Sequence, residues 1–205
     1  MSEFKQILLT KSRRFYAVGV SHKTATIDHR GYFSLSDSQL HALFLDAKEK
    51  GIQDLLLINT CNRTEIYAWT FSDTELVELL CTHSEGTQDS FNKIGYSFED
   101  EKGIHHLFRV GTGLESQILG DFEIIGQIKQ SFYRSKKMGL AQGNLERLTN
   151  SVIQASKRIK TETQISSGAT SVAFASVKYI LKNVRDIAQK NILLFGTGKI
   201  GANTS

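Results

Sequence analysis

Proline is missing from this sequence of 205 residues, and cysteine occurs only twice, at Cys61 and Cys81. Without proline, the turns must rely on glycine, asparagine, aspartate and serine. Two cysteines are too few for the framework of a disulfide-rich secreted domain, and they are typical of a reducing compartment. No apolar run approaches the roughly 18 residues that a membrane span needs, and the N-terminus has no signal-peptide pattern. We therefore expect a cytoplasmic protein without a membrane partner.

Charge of either sign is spread along the chain without a dense block. Charged residues make up 22% of the sequence and hydrophobic residues 40%, an ordinary globular composition that excludes disorder. The formal net charge is +4. This mild basic excess is compatible with an anionic partner such as nucleic acid, and equally with a protein that is merely kept away from its isoelectric point. By length, the chain is one large domain or two small ones.

Strand and helix patterns alternate over residues 1–100. Strands are predicted at 15–22, 54–59, 63–71 and 95–99. Two helices are each opened by a capping box, which Ser36 and Gln39 form at 36–50 and Ser72 and Glu75 form at 72–83. A loop is expected after the second helix. The order β-α-β-β-α-β predicts an α+β fold that begins with a ferredoxin-like unit.

After residue 100 the apolar period becomes helical. Apolar residues recur at spacings of three and four within 118–132, 145–159 and 173–187, which predicts three helices of about 18–22 residues. Two glycines near residue 140 and a serine- and glycine-containing stretch near 167 mark the breaks between the helices. We expect 101–166 to form a helical part of the first domain and 167–190 to form a long connecting helix.

The last segment, 191–205, changes character again. The apolar run NILLF at 191–195 predicts a short strand, and GTGKIG after it has the spacing G-x-G-x-x-G. Such glycines let the backbone approach a pyrophosphate at the start of a dinucleotide-binding domain. The candidate cofactor-binding residues are Gly196, Thr197, Gly198, Lys199, Ile200 and Gly201. Because only four residues follow, we expect the truncated start of a Rossmann domain and hence a piece of a longer protein.

Cys61 follows the predicted strand at 54–59, and a strand end is a rigid place for a nucleophile. Arg63 lies two residues further along, and a nearby cation raises the thiolate fraction of a cysteine. The alternative is that Cys61 is a small buried hydrophobic residue, as most cysteines are. Cys81, next to two leucines in a predicted helix, is expected to be a core residue.

His105 and His106 are the candidate proton-transfer residues. A histidine titrates near neutral pH and is a common base for a cysteine nucleophile. The alternative is that the pair merely caps a helix at the surface. No metal site is predicted, because adjacent residues diverge on a helix and no third ligand is evident.

Four blocks of the sequence carry a family resemblance. They are VGVSHKTATIDHR, INTCNRTEIY, HLFRVGTGLESQILGDFEIIGQIK and KRIKTETQISSGATSVAFA. Together they cover about 18–175 and resemble glutamyl-tRNA reductase in the order of that family. The GTGKIG run lies where the family begins its NADPH-binding domain. The resemblance implies that residues 1–100 are the catalytic subdomain.

The resemblance implies a reaction and a set of residues. The family reduces glutamate carried as an ester on tRNA to glutamate-1-semialdehyde, the first step of tetrapyrrole biosynthesis, which leads to porphyrins and haem. Cys61 would form a thioester and release tRNA, NADPH would then deliver hydride, and His106 matches a histidine that is critical for activity. The implied substrate-binding residues are Thr60, Asn62, Arg63, Ser116, Asp121, Phe122, Glu123 and Gln127. Arg63 would bind the substrate side-chain carboxylate bidentately.

The sequence departs from the family pattern in three places. The usual HKTAP has Thr26 in place of proline, and the usual GEPQILGQ has Asp121, Phe122 and Glu123 at its second to fourth positions. The family's C-terminal dimerisation domain, through which the whole protein would form a homodimer, is absent. We therefore expect this chain to form the thioester or act as an esterase without binding NADPH. The alternative is a non-catalytic module that binds tRNA or a protein.

Overall fold

The computed structural model describes residues 12–163, 165 and 172–196. Four strands and eight α-helices alternate along this part of the chain. In chain order they are β1 Arg14–Ser21, α1 Ile27–Gly31, α2 Asp37–Glu49, β2 Leu55–Thr60, β3 Arg63–Thr70, α3 Asp73–His83, α4 Gln88–Ile94, β4 Tyr96–Glu99, α5 Asp100–Gly111, α6 Glu123–Lys137, α7 Gly143–Glu162 and α8 Val172–Asn183, followed by a 3₁₀ turn at Ile187–Gln189.

The strands form one antiparallel sheet in the order β2-β3-β1-β4. Neighbouring residues of β1 point to opposite faces, so Val18 is in one apolar cluster with leucines of α2 and α3, and Ala17 is in another with apolar residues of α5, α6 and α7. Helices thus cover both faces of the sheet, and this explains why β1, β2 and β3 are buried along most of their length, whereas β4 at the edge of the sheet is only partly buried. The α+β class predicted from the sequence is confirmed.

The four strands and α2 and α3 lie within about a residue of their predicted positions. The capping box at Ser36 is present, because Ser36 Oγ accepts from the backbone N–H of Gln39, and Gln39 Oε1 accepts from the backbone N–H of Ser36 at 2.8 Å. The capping box predicted at Ser72 is wrong, since the Ser72 side chain makes no capping bond. The predicted loop contains α4, which is capped by Thr87 and Ser90 in a pairing of two hydroxyl groups that the sequence pattern did not reveal.

The helical part differs more from the prediction. Apolar periodicity begins at residue 118, but α6 begins at Glu123 because a loop at 112–122, with positive φ at Gly113 and Gly120, precedes it. The predicted helix at 145–159 is confirmed within α7. The described part of the predicted connecting helix is α8, which ends at Asn183, and Asp186 then has a left-handed backbone.

The strand predicted at 191–195 is not confirmed, since residues 191–196 are described as neither helix nor strand. A strand needs a partner for its backbone hydrogen bonds, and here the apolar side chains are exposed, as in Leu193 at 90% and Phe195 at 99%. Of the predicted glycine loop only Gly196 is described, and residues 197–201 lie outside the described part of the chain.

Candidate active site

Cys61 lies at the tip of the turn that joins β2 to β3. Thr60 and Arg63 are paired across the two strands, so Cys61 and Asn62 form a two-residue connection. Thr60 Oγ1 accepts from the backbone N–H groups of Asn62 and Arg63, both at 3.2 Å, and this fixes the turn from inside. Cys61 is exposed to solvent, and the alternative of a buried cysteine is therefore wrong.

Cys81 shows the opposite environment. It packs against the apolar cluster beneath α2 and α3, and burial raises the pKa of its thiol. A raised pKa lowers the thiolate fraction at neutral pH, so Cys81 is poorly suited to be a nucleophile.

The segment after β1 clamps the Cys61 turn from outside. The Arg30 guanidinium donates from Nε to the Cys61 carbonyl at 2.9 Å and from Nη1 to the Ala25 carbonyl at 3.3 Å. The backbone N–H of His22 donates to the Asn62 carbonyl at 2.8 Å. Burial, together with the positive charges of nearby arginine and lysine side chains, lowers the pKa of His22. Within the described residues its buried Nδ1 has no hydrogen-bond partner.

A buried carboxylate, Glu65, organises the interior behind the turn. Glu65 Oε1 accepts from Arg63 Nη1 at 2.9 Å and lies 2.8 Å from His106 Nε2, and Oε2 accepts from the Tyr67 hydroxyl at 2.7 Å. The Tyr96 hydroxyl also donates to Oε1. The side chain of Glu65 is only 1% exposed, so these partners replace the water that a carboxylate normally keeps.

The charge state of Glu65 determines which ring nitrogen of His106 carries the proton. Burial alone would raise the pKa of Glu65, but the Arg63 charge and the hydrogen bonds from His106 and Tyr96 hold it at about 2. Glu65 is therefore ionised at neutral pH, and His106 Nε2 must carry the proton that it donates. In the neutral ring the lone pair then lies on Nδ1. The ring is further held by Tyr67 and Phe98, at centroid distances of 6.3 and 4.9 Å.

The Arg63 guanidinium is less available for a substrate than the sequence predicts, because it already binds two groups of the protein. It is 3% exposed, and its Nη2 donates to the backbone carbonyl of Glu115 at 2.5 Å while Nη1 binds Glu65. Burial opposes the charge, but the Glu65 carboxylate raises the pKa of Arg63. Contact with a substrate carboxylate would therefore require the Glu115 carbonyl to give way.

A second carboxylate, Glu115, lines a cavity of about 390 Å³. It pairs with Lys23 and with Arg109 Nε, the latter at 2.6 Å. Burial opposes ionisation, but these two cations hold the pKa of Glu115 below its ordinary value. We call this space the basic cavity, and its lining consists of Ser21, Lys23, Thr24, Tyr96, Phe98, Lys102, His105, His106, Arg109 and Glu115. His105 and His106 lie inside α5, so the alternative that they cap a helix is wrong.

The other predicted substrate residues lie in the 112–122 loop with the start of α6, and in a cavity beside β2. Ser116 follows Glu115 in the 112–122 loop, and its backbone N–H donates to the Gly113 carbonyl at 3.3 Å. Asp121 Oδ1 accepts from the backbone N–H of Glu123 at 2.9 Å, and the ring of Phe122 lies 5.7 Å from Lys160 Nζ. Gln127 lines a separate cavity of about 300 Å³ beside β2. The structure thus places Thr60, Asn62 and Arg63 at the Cys61 turn, and Glu65 joins Arg63 to His106. Ser116 is the residue after Glu115, whose backbone carbonyl binds Arg63.

Sequence reasoning missed Arg30, Glu65, Tyr96 and Glu115. The one available signal was Glu65 itself, a carboxylate in the otherwise β-forming run RTEIYAWT, since a charge in a buried strand requires a partner. In the part of the chain that the structure describes, no group of three histidine, cysteine or acidic residues could hold a metal ion. None of the described helices is long and apolar enough to cross a membrane.

Known proteins are similar to this sequence over most of its length. The family model described as Glutamyl-tRNAGlu reductase, N-terminal domain, matches residues 18–163. A glutamyl-tRNA reductase of Christiangramia forsetii is 55% identical over 196 residues, which are 96% of this chain and 47% of that protein. The corresponding protein of Shewanella amazonensis is 35% identical over 184 residues, which are 89% of this chain and 44% of that protein.

A solved structure shares the fold. Glutamyl-tRNA Reductase from Methanopyrus kandleri matches with a TM-score of 0.68 and 28% sequence identity, over 93% of this chain and 45% of that one. The chain spans about half the length of the curated relatives that it matches. Because the family model covers the sheet, the Cys61 turn and the Glu65 cluster together, this chain belongs to the glutamyl-tRNA reductase family.

Proposed function

We propose that this chain contains the acyl-transfer centre of a glutamyl-tRNA reductase, with Cys61 as the nucleophile. The observation that carries the proposal is an exposed Cys61 on a turn that Thr60 and Arg30 hold in place. The sulfur attacks the α-carbonyl carbon of glutamate esterified to tRNA. A carbon–sulfur bond forms, the ester carbon–oxygen bond breaks, and the thiol proton leaves with the ribose hydroxyl.

We propose His106 as the proton-transfer residue and Glu65 as its positioning residue. The ionised Glu65 fixes the Nε2–H tautomer of His106, so Nδ1 is the nitrogen that can accept a proton. The ring lines the basic cavity, from which a substrate can reach it. A base held by a buried carboxylate follows the same logic as other nucleophile–base–orienter sites.

We propose Thr60, Asn62, Arg63 and Ser116 as substrate-binding residues next to Cys61. In this proposal Arg63 Nη2 exchanges the Glu115 carbonyl for the substrate carboxylate, which requires the 112–122 loop to shift. The remaining proposed contacts are Asp121, Phe122, Glu123 and Gln127, which lie at the start of α6 and further along it.

For the whole protein we propose the first step of tetrapyrrole biosynthesis in the cytoplasm, by a homodimer. NADPH, when bound, supplies the hydride that converts the thioester into glutamate-1-semialdehyde and restores the thiol. The residues of this chain that would hold it are those at 196–201, and the φ of +122° at Gly196 is a conformation that favours glycine. We propose that this 205-residue chain, tested by itself, hydrolyses the ester slowly and forms no semialdehyde.

The finer architecture is part of the same proposal. The strand order β2-β3-β1-β4, with α2 and α3 on one face, supports a ferredoxin-like catalytic subdomain over about 1–100. We propose that 101–166 complete this domain, that 167–190 form a connecting helix, and that 191–205 begin a Rossmann domain.

The test is acylation of the chain by glutamyl-tRNA, followed by intact mass. We expect a single glutamyl adduct on the unmodified chain and on Cys81→Ser, and none on Cys61→Ser, because a serine hydroxyl is not ionised at neutral pH. An adduct on Cys61→Ser would refute the nucleophile assignment. Absence of an adduct on the unmodified chain, with tRNA still bound, would favour the non-catalytic module. Formation of semialdehyde with added NADPH would refute the esterase expectation.

A further inference from the structure

One face of α5 is entirely basic. Lys102, His105, His106 and Arg109 follow the spacing three, one and three, so they lie along one side of the helix, and all four line the basic cavity. His106 is turned inward to Glu65, whereas Lys102 and His105 are exposed. Lys102 makes no ion pair within the described residues.

The lining of the cavity contains one more cation. Lys23, in the segment after β1, is half-exposed and pairs with Glu115, which also lines the cavity. The lining thus contains three cations, Lys23, Lys102 and Arg109, and one carboxylate, Glu115, so the cavity is net positive. An anion that enters would compete with Glu115 for two cations that water already reaches.

Two aromatic residues also line the cavity. Tyr96 and Phe98 of β4 have ring centroids 5.3 Å apart, and Phe98 lies 4.9 Å from the ring of His106. Sites for single-stranded nucleic acid combine aromatic side chains, on which bases stack, with cations that follow the phosphates. The volume of about 390 Å³ lies within the range of roughly 300–1,000 Å³ that is typical of small-ligand sites.

We propose that the basic cavity binds the single-stranded 3′-terminal nucleotide of tRNA, with the base against Phe98 and a phosphate at Lys102. The choice of tRNA as the source of this nucleotide rests on the proposed function. The position agrees with that function because the cavity and the Cys61 turn share one end of the sheet: Ser21 lines the cavity and pairs with Arg63, and the next residue, His22, binds the Asn62 carbonyl.

The experiment titrates the isotope-labelled chain with the RNA trinucleotide CCA, and separately with reduced nicotinamide mononucleotide, which offers the same combination of ring and phosphate. We expect CCA to shift the amide signals of Phe98, Lys102 and His105. Lys102→Gln should weaken CCA binding roughly fivefold and lower the magnitude of its salt-dependence slope by about 0.7, as for one lost phosphate contact on a single strand. Lys93→Gln, the same charge change on exposed α4, should leave both quantities unchanged.

Phe98→Leu tests stacking, with an expected loss of roughly tenfold in CCA affinity, and its circular dichroism confirms that it is folded. Shifts confined to other surfaces, or equal binding by Lys102→Gln, would overturn the proposal. Tighter binding of the nicotinamide nucleotide at the same amides would also overturn it and assign the cavity to the cofactor. CCA carries no acyl group, so its failure to bind while the glutamyl adduct still forms would reject the cavity assignment alone.

Discussion

Glu65 and Glu115 each bind two basic side chains, but only the partners of Glu115 are largely exposed to water. The partners of Glu65 are Arg63 and His106, with side chains 3% and 12% exposed. The partners of Glu115 are Lys23 and Arg109, which are 47% and 42% exposed. The first cluster therefore has no alternative to its internal bonds, whereas the second can exchange its partners for solvent or for a ligand.

This difference separates positioning from binding. Removal of one partner of a buried ion pair strongly destabilises the folded protein, because the other charge is left without water or a counter-ion. A half-exposed pair contributes about 0–1 kcal/mol, since water and salt replace the missing partner. We therefore propose that Glu65 supports the Cys61 turn and His106 rigidly, and that Glu115 belongs to the part of the site where ion pairs can exchange for ligand contacts.

The largest expected effect is that of Glu65→Gln. The amide keeps the shape of the side chain but leaves the Arg63 charge buried without a counter-charge, so we expect the free energy of unfolding to fall by about 3–5 kcal/mol. Urea unfolding measures it. Glu99→Gln is the matched control, since Glu99 also accepts from a tyrosine and pairs with an arginine, Arg14, but at the surface. Equal losses in the two variants would contradict the distinction between buried and exposed clusters.

The loss of stability in acid should show the same difference between the buried and the exposed cluster. The folded pKa of Glu65, about 2, lies below its ordinary value of 4.5, so its contribution is complete above pH 4.5 and is lost as pH falls towards 2. The shift corresponds to about 3 kcal/mol at most. We expect the stability of the unmodified chain to fall steeply across this interval and that of Glu65→Gln to fall less. Parallel curves for the two proteins would show that other carboxylates dominate acid unfolding.

Arg63→Lys should have an intermediate effect. A lysine can reach either Glu65 or the Glu115 carbonyl, but it lacks the planar fork that binds both. We expect a loss of about 2 kcal/mol in the free energy of unfolding, and a larger loss in the rate of adduct formation if Arg63 also contacts substrate. Arg13→Lys, whose arginine binds the Gly51 carbonyl at the exposed surface, is the control. An acylation loss no larger than the stability loss would restrict Arg63 to a structural role.

These contrasts explain what the sequence could and could not predict. The alternation of apolar and polar residues predicted the strands, and the end of the strand at 54–59 predicted the position of Cys61. Both predictions depend only on residues that are neighbours in the sequence. The Glu65 cluster joins residues 41 positions apart, from Glu65 to His106, and no local pattern encodes such a contact. The NILLF strand is not confirmed for the same reason, since apolar residues predict burial but do not supply the neighbouring strand against which they would be buried. The early start predicted for α6 ignored Gly120, whose positive φ interrupts the helical period.

The smallest effect is expected for Glu115→Gln. The backbone carbonyl that binds Arg63 remains, so only the bonds to Lys23 and Arg109 change, and both side chains already contact water. We expect the free energy of unfolding to fall by less than about 1 kcal/mol. Because two cations are released into the basic cavity, CCA should bind a few-fold more tightly at low salt, and 0.5 M salt should remove the gain. Weaker CCA binding by a folded Glu115→Gln would mean that Glu115 positions these cations instead of competing with the ligand for them.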